Sequence, residues 1–176
     1  LGGQPGPHAD TRPHILGVPL NPITWHNLRE LLRQWIASGH PHQFCTVNPD
    51  FIMVAQQDVN FYNILHRADL CAADGQGLLW AARHLGAPLP QRVTGSDGVP
   101  LIAQWAAEEG WSLFLLGAAE GVAARAARVL QVQYPGLEIA GTYAGSPAPD
   151  EEPAIVERIN ASGADILFVA YGAPKQ

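Results

Sequence analysis

The sequence predicts an α/β protein, with a parallel sheet carrying helices on both faces in a single domain. Three observations predict it. Short apolar runs alternate with longer runs of helical period along the whole chain. The strand-like runs, such as Leu70–Ala73 and 111–116, are uncharged and suit strands covered on both sides. Glycine or proline marks nearly every exchange between the two kinds of run, and no repeat or heptad interrupts the pattern.

Residues 1–13 are rich in Gly, Pro and His and read as a flexible tail without a signal peptide's apolar core. The domain itself is expected over 14–176. His14–Val18 reads as the first strand, with Pro19 and Pro22 making the turn after it. Thr24 can cap a helix through Ser38, its face formed by Leu28, Leu31, Leu32, Trp35 and Ile36, with Gly39 just past the end. Gln43–Val47 is the next strand. It ends at Asn48-Pro49, and Pro49 suits the first position of a helix. Two short helices, 50–57 and 58–67, lead to the strand Leu70–Ala73. That strand stops at Asp74-Gly75, and a helix follows to Gly86.

A loop over 87–95 precedes a helix capped by Ser96 or Asp97, with Pro100 in its first turn. The apolar strand 111–116 meets Gly117-Ala-Ala-Glu-Gly121 and an alanine-rich helix to about Gln133. Leu137–Ala140 is a strand, and 141–149 a loop. Helix 150–161 should turn Ile155, Val156 and Ile159 inward, with Gly163 beyond it. Asp165–Ala170 is the last strand.

Composition narrows the function classes. The 176 residues suffice for a sizeable core, and only 15% are charged. A net charge of −6 shows no basic face for nucleic acid. No apolar run reaches membrane-spanning length. Cys45 and Cys71 read as buried, reduced thiols, which suits a cytosolic protein. The stop at Gln176, soon after an apolar strand, reads as an incomplete protein.

Four strand ends carry small or polar residues: Thr46 with Asn48, Asp74 with Gly75, Gly117 with Gly121, and Gly172–Gln176. In one parallel sheet these ends share an edge, where ligands bind. Asp74 there is either an acid or base, or a capping residue in a tight turn. Gly117-x-x-x-Gly121 before a helix suits a phosphate, or else gives close packing of strand on helix. Arg92 is either a diphosphate ligand or a surface arginine. The seven His are scattered without ligand spacing, His40 and His42 reading as solvated. No Asp-x-Asp pair, G-x-G-x-x-G or Walker sequence occurs.

Taken together, Thr46-Val-Asn48-Pro, Ala68-Asp-Leu…Asp74-Gly-x-Gly77, Gln91-Arg92-Val-Thr-Gly95, Phe114-Leu-Leu-Gly117 and Gly172-x-Pro-Lys-Gln176 resemble the TagA/WecG/CpsF glycosyltransferases. Order and spacing agree in five blocks from about Ile15 to Gln176. The resemblance implies a Rossmann-like fold and an inverting transfer without metal or other cofactor. A UDP-sugar would donate an N-acetylhexosamine, N-acetylmannosamine in the best-known members, to a polyprenyl-diphosphate-linked sugar. The work would serve cell-wall or surface polysaccharide synthesis at the cytoplasmic face of the membrane.

Residue by residue, the resemblance implies Asp74 as general base and places Thr46, Asn48, Gly75, Arg92 and Gln176 in the pocket. Arg92 and the Gly117 loop would face the diphosphate. Family members continue past the Pro-Lys-Gln block into a membrane-binding segment that this sequence lacks. The loop after Tyr143 also lacks an aromatic residue often found there. A homo-oligomer is compatible with the sequence. Two rival readings remain: a nucleotide-binding module without catalysis, and an NAD-dependent oxidoreductase, which the missing fingerprint disfavours.

Overall fold

The computed structural model describes residues 12–175. Most of the expected tail and Gln176 therefore lie outside the described residues. Parallel α/β organisation is borne out, but the strands divide between two compact units where one sheet was expected. Unit 1 comprises residues 12–24 and His42–Val93, and unit 2 comprises Trp25–Pro41 and residues 94–175.

Unit 1 opens with a hairpin where a single strand was expected. Strand β1 (His14–Ile15) pairs antiparallel with β2 (Val18–Pro19) across a two-residue turn. Leu16 and Gly17 both have positive φ, 47° and 84°, as a mirror-image hairpin turn requires. The turn is held from outside, by Gln56 donating to the Leu16 carbonyl and by His66 Nε2 lying 2.8 Å from the Gly17 carbonyl oxygen. Pro13 also belongs to the fold, since Leu20 donates to its carbonyl.

The core of unit 1 is the parallel pair β3 (Phe44–Val47) and β4 (Leu70–Ala73), in register from Phe44↔Leu70 to Val47↔Ala73. The crossover between them is α2 (Pro49–Ala55) and α3 (Val59–Arg67). Both helices start where local chemistry dictates: Asn48 Oδ1 accepts from Phe51 N–H, and Asp58 Oδ1 accepts from Asn60 and Phe61. At the other end of the strands, Asp69 accepts from Gln43 N–H at 2.8 Å. That bond, aided by His42, holds its carboxyl below the usual range. His42, expected to be solvated, lies 3.2 Å from Asp69.

Strand β4 is fully buried and is hydrogen-bonded on both sides. One side faces β3. On the other, Asn21 accepts from Cys71 N–H and donates to its carbonyl, and Val93 N–H donates to Ala73. Helix α4 (Gln76–His84) then begins two residues after the strand.

In unit 2, the three-stranded parallel sheet runs in the order β6-β5-β7. Central β5 (Ser112–Gly117) is buried throughout. The connections from β5 through α6 (Val122–Gln133) to β6 (Glu138–Tyr143), and from β6 through α7 (Glu152–Ser162) to β7 (Ile166–Ala170), travel in opposite directions. Right-handed crossovers therefore put α6 and α7 on opposite faces. Ile155 and Ile159 of α7 pack on Phe114 and Leu116, whereas Val156, expected inward, is 47% exposed. Asp165 anchors the start of the sheet by accepting from both the N–H and hydroxyl of Ser112.

Three boundaries shift in unit 2. The cap of α5 (Gly95–Glu109) is Thr94, not Ser96 or Asp97, because Thr94 Oγ1 accepts from Asp97 N–H. Pro100 consequently lies beyond the first turn. Strand β6 continues through Gly141 into residues expected as loop. A Cβ at Gly141 would stand 2.5 Å from the Phe114 ring, so the strand needs glycine there. Helix α1 (Trp25–Ser38) belongs with α5: Trp25 meets Trp105 edge to face, and Arg29 and Arg33 both bond Glu109.

Candidate active site

The carboxyl edge of β3 and β4 brings five of the expected residues together within unit 1. Asp74 follows the last residue of β4, and its N–H donates to the Val47 carbonyl at 2.7 Å. Asn48 follows the last residue of β3. On the far side of β4, Val93 pairs with Ala73, which sets Arg92 beside the same edge. Asp74 thus emerges between the Asn48 turn and the Arg92 segment. Thr46 lies one residue below the edge, in register with Ala72.

Gly75 makes this convergence possible. Its φ is +150°, a conformation that side chains disfavour. A Cβ there would also stand 3.3 Å from Pro49 Cδ, so the two turns approach closely. Asp74 and Gly75 are half-buried, and Arg92 is exposed. A carboxylate, an amide and a guanidinium are therefore gathered at a strand edge, suited to proton acceptance and anion binding. Asn48 already has one duty here, since its Oδ1 caps α2.

Gly117 belongs to unit 2. It ends β5 with φ +99°, and a Cβ there would stand 2.8 Å from the Ala170 backbone carbon and 2.9 Å from its carbonyl oxygen. Its close approach is therefore to strand β7, not to a helix. Ala118 continues with φ 63° and donates to the Ala170 carbonyl at 3.0 Å. The loop closes at Gly121, which starts α6 without a side-chain cap.

A cleft of about 100 Å³ lies beside that helix start, lined by Glu120, Gly121, Ala123, Ala124 and Thr142–Ala144. Its one charged lining residue is acidic. Glu120 opposes an anion, while Arg125 comes close enough that a Cβ at Gly121 would stand 3.1 Å from Nη1. Sequence reasoning missed Arg125, although its place four residues after Gly121 puts it one helical turn beyond the loop. Tyr143 on the cleft stacks against the Arg158 guanidinium at 4.3 Å. Neighbouring Tyr171 donates to Ala144, and burial, then the nearby Glu151, pushes its phenol up. A hollow of about 690 Å³ along α7 is lined by that helix alone and is remote in sequence from every expected site residue.

Among the described residues, no three His, Cys, Asp or Glu side chains gather in a way that could hold a metal ion. No helix among them is long and apolar enough to cross a membrane. Gln176, the remaining expected residue, lies outside the described residues.

Comparison with known proteins adds independent information. A family model described as Glycosyl transferase WecG/TagA/CpsF family matches residues 13–176. The N-acetylglucosaminyldiphosphoundecaprenol N-acetyl-beta-D-mannosaminyltransferase of Bacillus spizizenii is 32% identical over 131 residues, covering 74% of this chain and 50% of the relative. A protein of the same name from Staphylococcus aureus (strain NCTC 8325 / PS 47) is 29% identical over 164 residues, 92% of this chain and 64% of the relative. The chain therefore spans from half to just under two thirds of the length of these relatives.

Proposed function

Because the chain belongs to the WecG/TagA/CpsF glycosyltransferase family, we propose that it is the catalytic domain of an inverting, metal-independent glycosyltransferase. The sugar is an N-acetylhexosamine, N-acetylmannosamine by analogy with the relatives' names. The donor is a UDP-sugar, and the acceptor is a polyprenyl-diphosphate-linked sugar at the cytoplasmic membrane face. The observation that carries this reading is the gathering of Asp74, Asn48 and Arg92 at one strand edge.

In the proposed reaction the acceptor hydroxyl attacks the anomeric carbon while its proton passes to the Asp74 carboxylate. The bond to UDP breaks with inversion, and the diphosphate leaves with the electron pair. A poor hydroxyl nucleophile needs such a base. The negative charge growing on the diphosphate needs a cation or oriented amides. Arg92 supplies the cation in unit 1.

The test is turnover by the full-length protein on a panel of UDP-sugars with a polyprenyl-diphosphate-linked N-acetylglucosamine acceptor. Transfer in the presence of EDTA, with inverted product configuration, supports the reading. Binding of UDP with no transfer to any acceptor overturns it in favour of a nucleotide-binding module.

A further inference from the structure

Below the edge that carries Asn48 and Asp74, two thiols stand side by side. Cys45 of β3 and Cys71 of β4 are direct register partners. Adjacent strands lie about 4.7–4.9 Å apart, within the roughly 4.4–6.8 Å Cα separation that a disulfide spans. Register partners in a parallel pair project to the same face, so the two sulfurs face each other across the ladder. Both cysteines are free. Cys71 is fully buried, and its S–H donates to the Leu65 carbonyl at 3.3 Å. Cys45 is only half-buried, which leaves a small molecule a way in.

The two thiols differ in character. The neighbouring Cys71 thiol favours the Cys45 thiolate and holds that thiol below its ordinary range. The same contact, with burial, pushes Cys71 up. An accessible, thiolate-prone cysteine beside a resolving partner is the arrangement that peroxides oxidise selectively.

We propose that Cys45 and Cys71 form a redox modification site that a hydroperoxide converts reversibly into a cross-strand disulfide. The Cys45 thiolate attacks one oxygen of hydrogen peroxide, the O–O bond breaks, and a sulfenic acid forms while the departing hydroxide takes up the proton the thiol had lost, giving one water. The Cys71 sulfur then attacks the sulfenic sulfur, forming the S–S bond and releasing a second water. Two thiols lose two electrons and two protons, and hydrogen peroxide is reduced to two waters. The half-buried Cys45 sulfur leaves the bridge open to attack, which places it among the readily reducible disulfides. A dithiol reductant returns both thiols.

Its position links the bridge to the edge above it. Cys45 lies two residues before Val47, and Cys71 three before Asp74, whose N–H reaches Val47. The usual Cα separation across a disulfide, roughly 5.5–6 Å, exceeds the strand spacing, so closing the bridge pushes the strands apart at the sulfurs, displaces that pairing and shifts the carboxylate. This consequence rests on the proposed role of Asp74; the bridge itself does not.

The test treats the reduced full-length protein with hydrogen peroxide, then alkylates it under denaturing conditions for peptide mass analysis. The expected result is loss of two hydrogens and a linked Cys45–Cys71 peptide, both reversed by dithiothreitol. Cys45→Ser, checked for folding by thermal melting, should give no bridge and leave Cys71 alkylatable. Both thiols remaining alkylatable overturns the proposal, as does Cys45 advancing to a sulfinic acid without a bridge. Sugar transfer by the bridged enzyme should fall by about 10²-fold, the scale of a small misplacement of reacting groups. A bridge that forms while transfer is unchanged overturns the link to Asp74 alone.

Discussion

The backbone N–H of Asp74 donates to the carbonyl of Val47 at 2.7 Å, so the carboxylate's own backbone is tied to the last residue of β3. This bond is indifferent to the side chain. Asp74→Asn therefore keeps this bond and removes the carboxylate's basicity. In the full-length enzyme it should lower kcat by about 10²–10⁴-fold, the usual contribution of a general base, with little change in UDP-sugar affinity. Steady-state kinetics check this, and near-normal turnover would leave Asp74 as a turn residue only.

Arg92→Ala should weaken UDP more than uridine, since only UDP offers phosphate oxygens to a guanidinium. The loss for UDP is about 1.5–3 kcal/mol, the scale of a hydrogen bond to a charged group. Calorimetric titration in the presence and absence of EDTA checks both the residue and metal independence. Equal losses for the two ligands, or binding abolished by EDTA, would refute the assignment.

Gly117→Ala and Gly39→Ala form an informative pair. Both positions have positive φ, +99° and +68°, but a Cβ at Gly39 meets nothing within 4 Å, whereas one at Gly117 meets the Ala170 backbone. The first change should cost about 1–3 kcal/mol more than the second, the range of an overpacked site. Urea denaturation measures the difference. Equal costs would mean that β5 and β7 part easily at this end.

Glu109 gives the stability an acid dependence. The Arg33 hydrogen bond, followed by that of Arg29, pulls its carboxyl down to about 2. An unfolded glutamate titrates at about 4.3. A lowered folded value means the contribution is complete above about 4.3 and is lost as pH falls toward 2. The melting-temperature gap between wild type and Glu109→Gln should hold at neutral pH, narrow through that window, and shrink in high salt. A gap unchanged at pH 2 would remove these arginines as its cause.

Features governed by neighbours in sequence were legible. Asn48-Pro49, Asp58 and Gly163 marked helix ends because caps depend on a few adjacent residues. The Leu16–Gly17 turn was hidden because leucine disfavours positive φ, and the distant side chains of Gln56 and His66 hold it. Gly141 read as loop because its reason, the Phe114 ring, lies on another strand. At the candidate site, the strand ends and glycines were visible. The Val93–Ala73 pairing that brings in Arg92 was not, since nothing local announces it. The family resemblance selected Arg92 before any geometry did.

The chain contributes α1 to unit 2 before it has finished unit 1. Arg29 and Glu109 stand 80 residues apart, so during ribosomal synthesis α1 emerges long before α5 exists. Its Leu28 and Leu32 face must wait, a window in which a nascent chain invites chaperones or self-association. Neither unit can be excised as one continuous fragment. A chain cut after Val93 carries α1 with no α5 to cover it, whereas linking Pro41 to Thr94 in place of residues 42–93 would let unit 2 form from a single stretch.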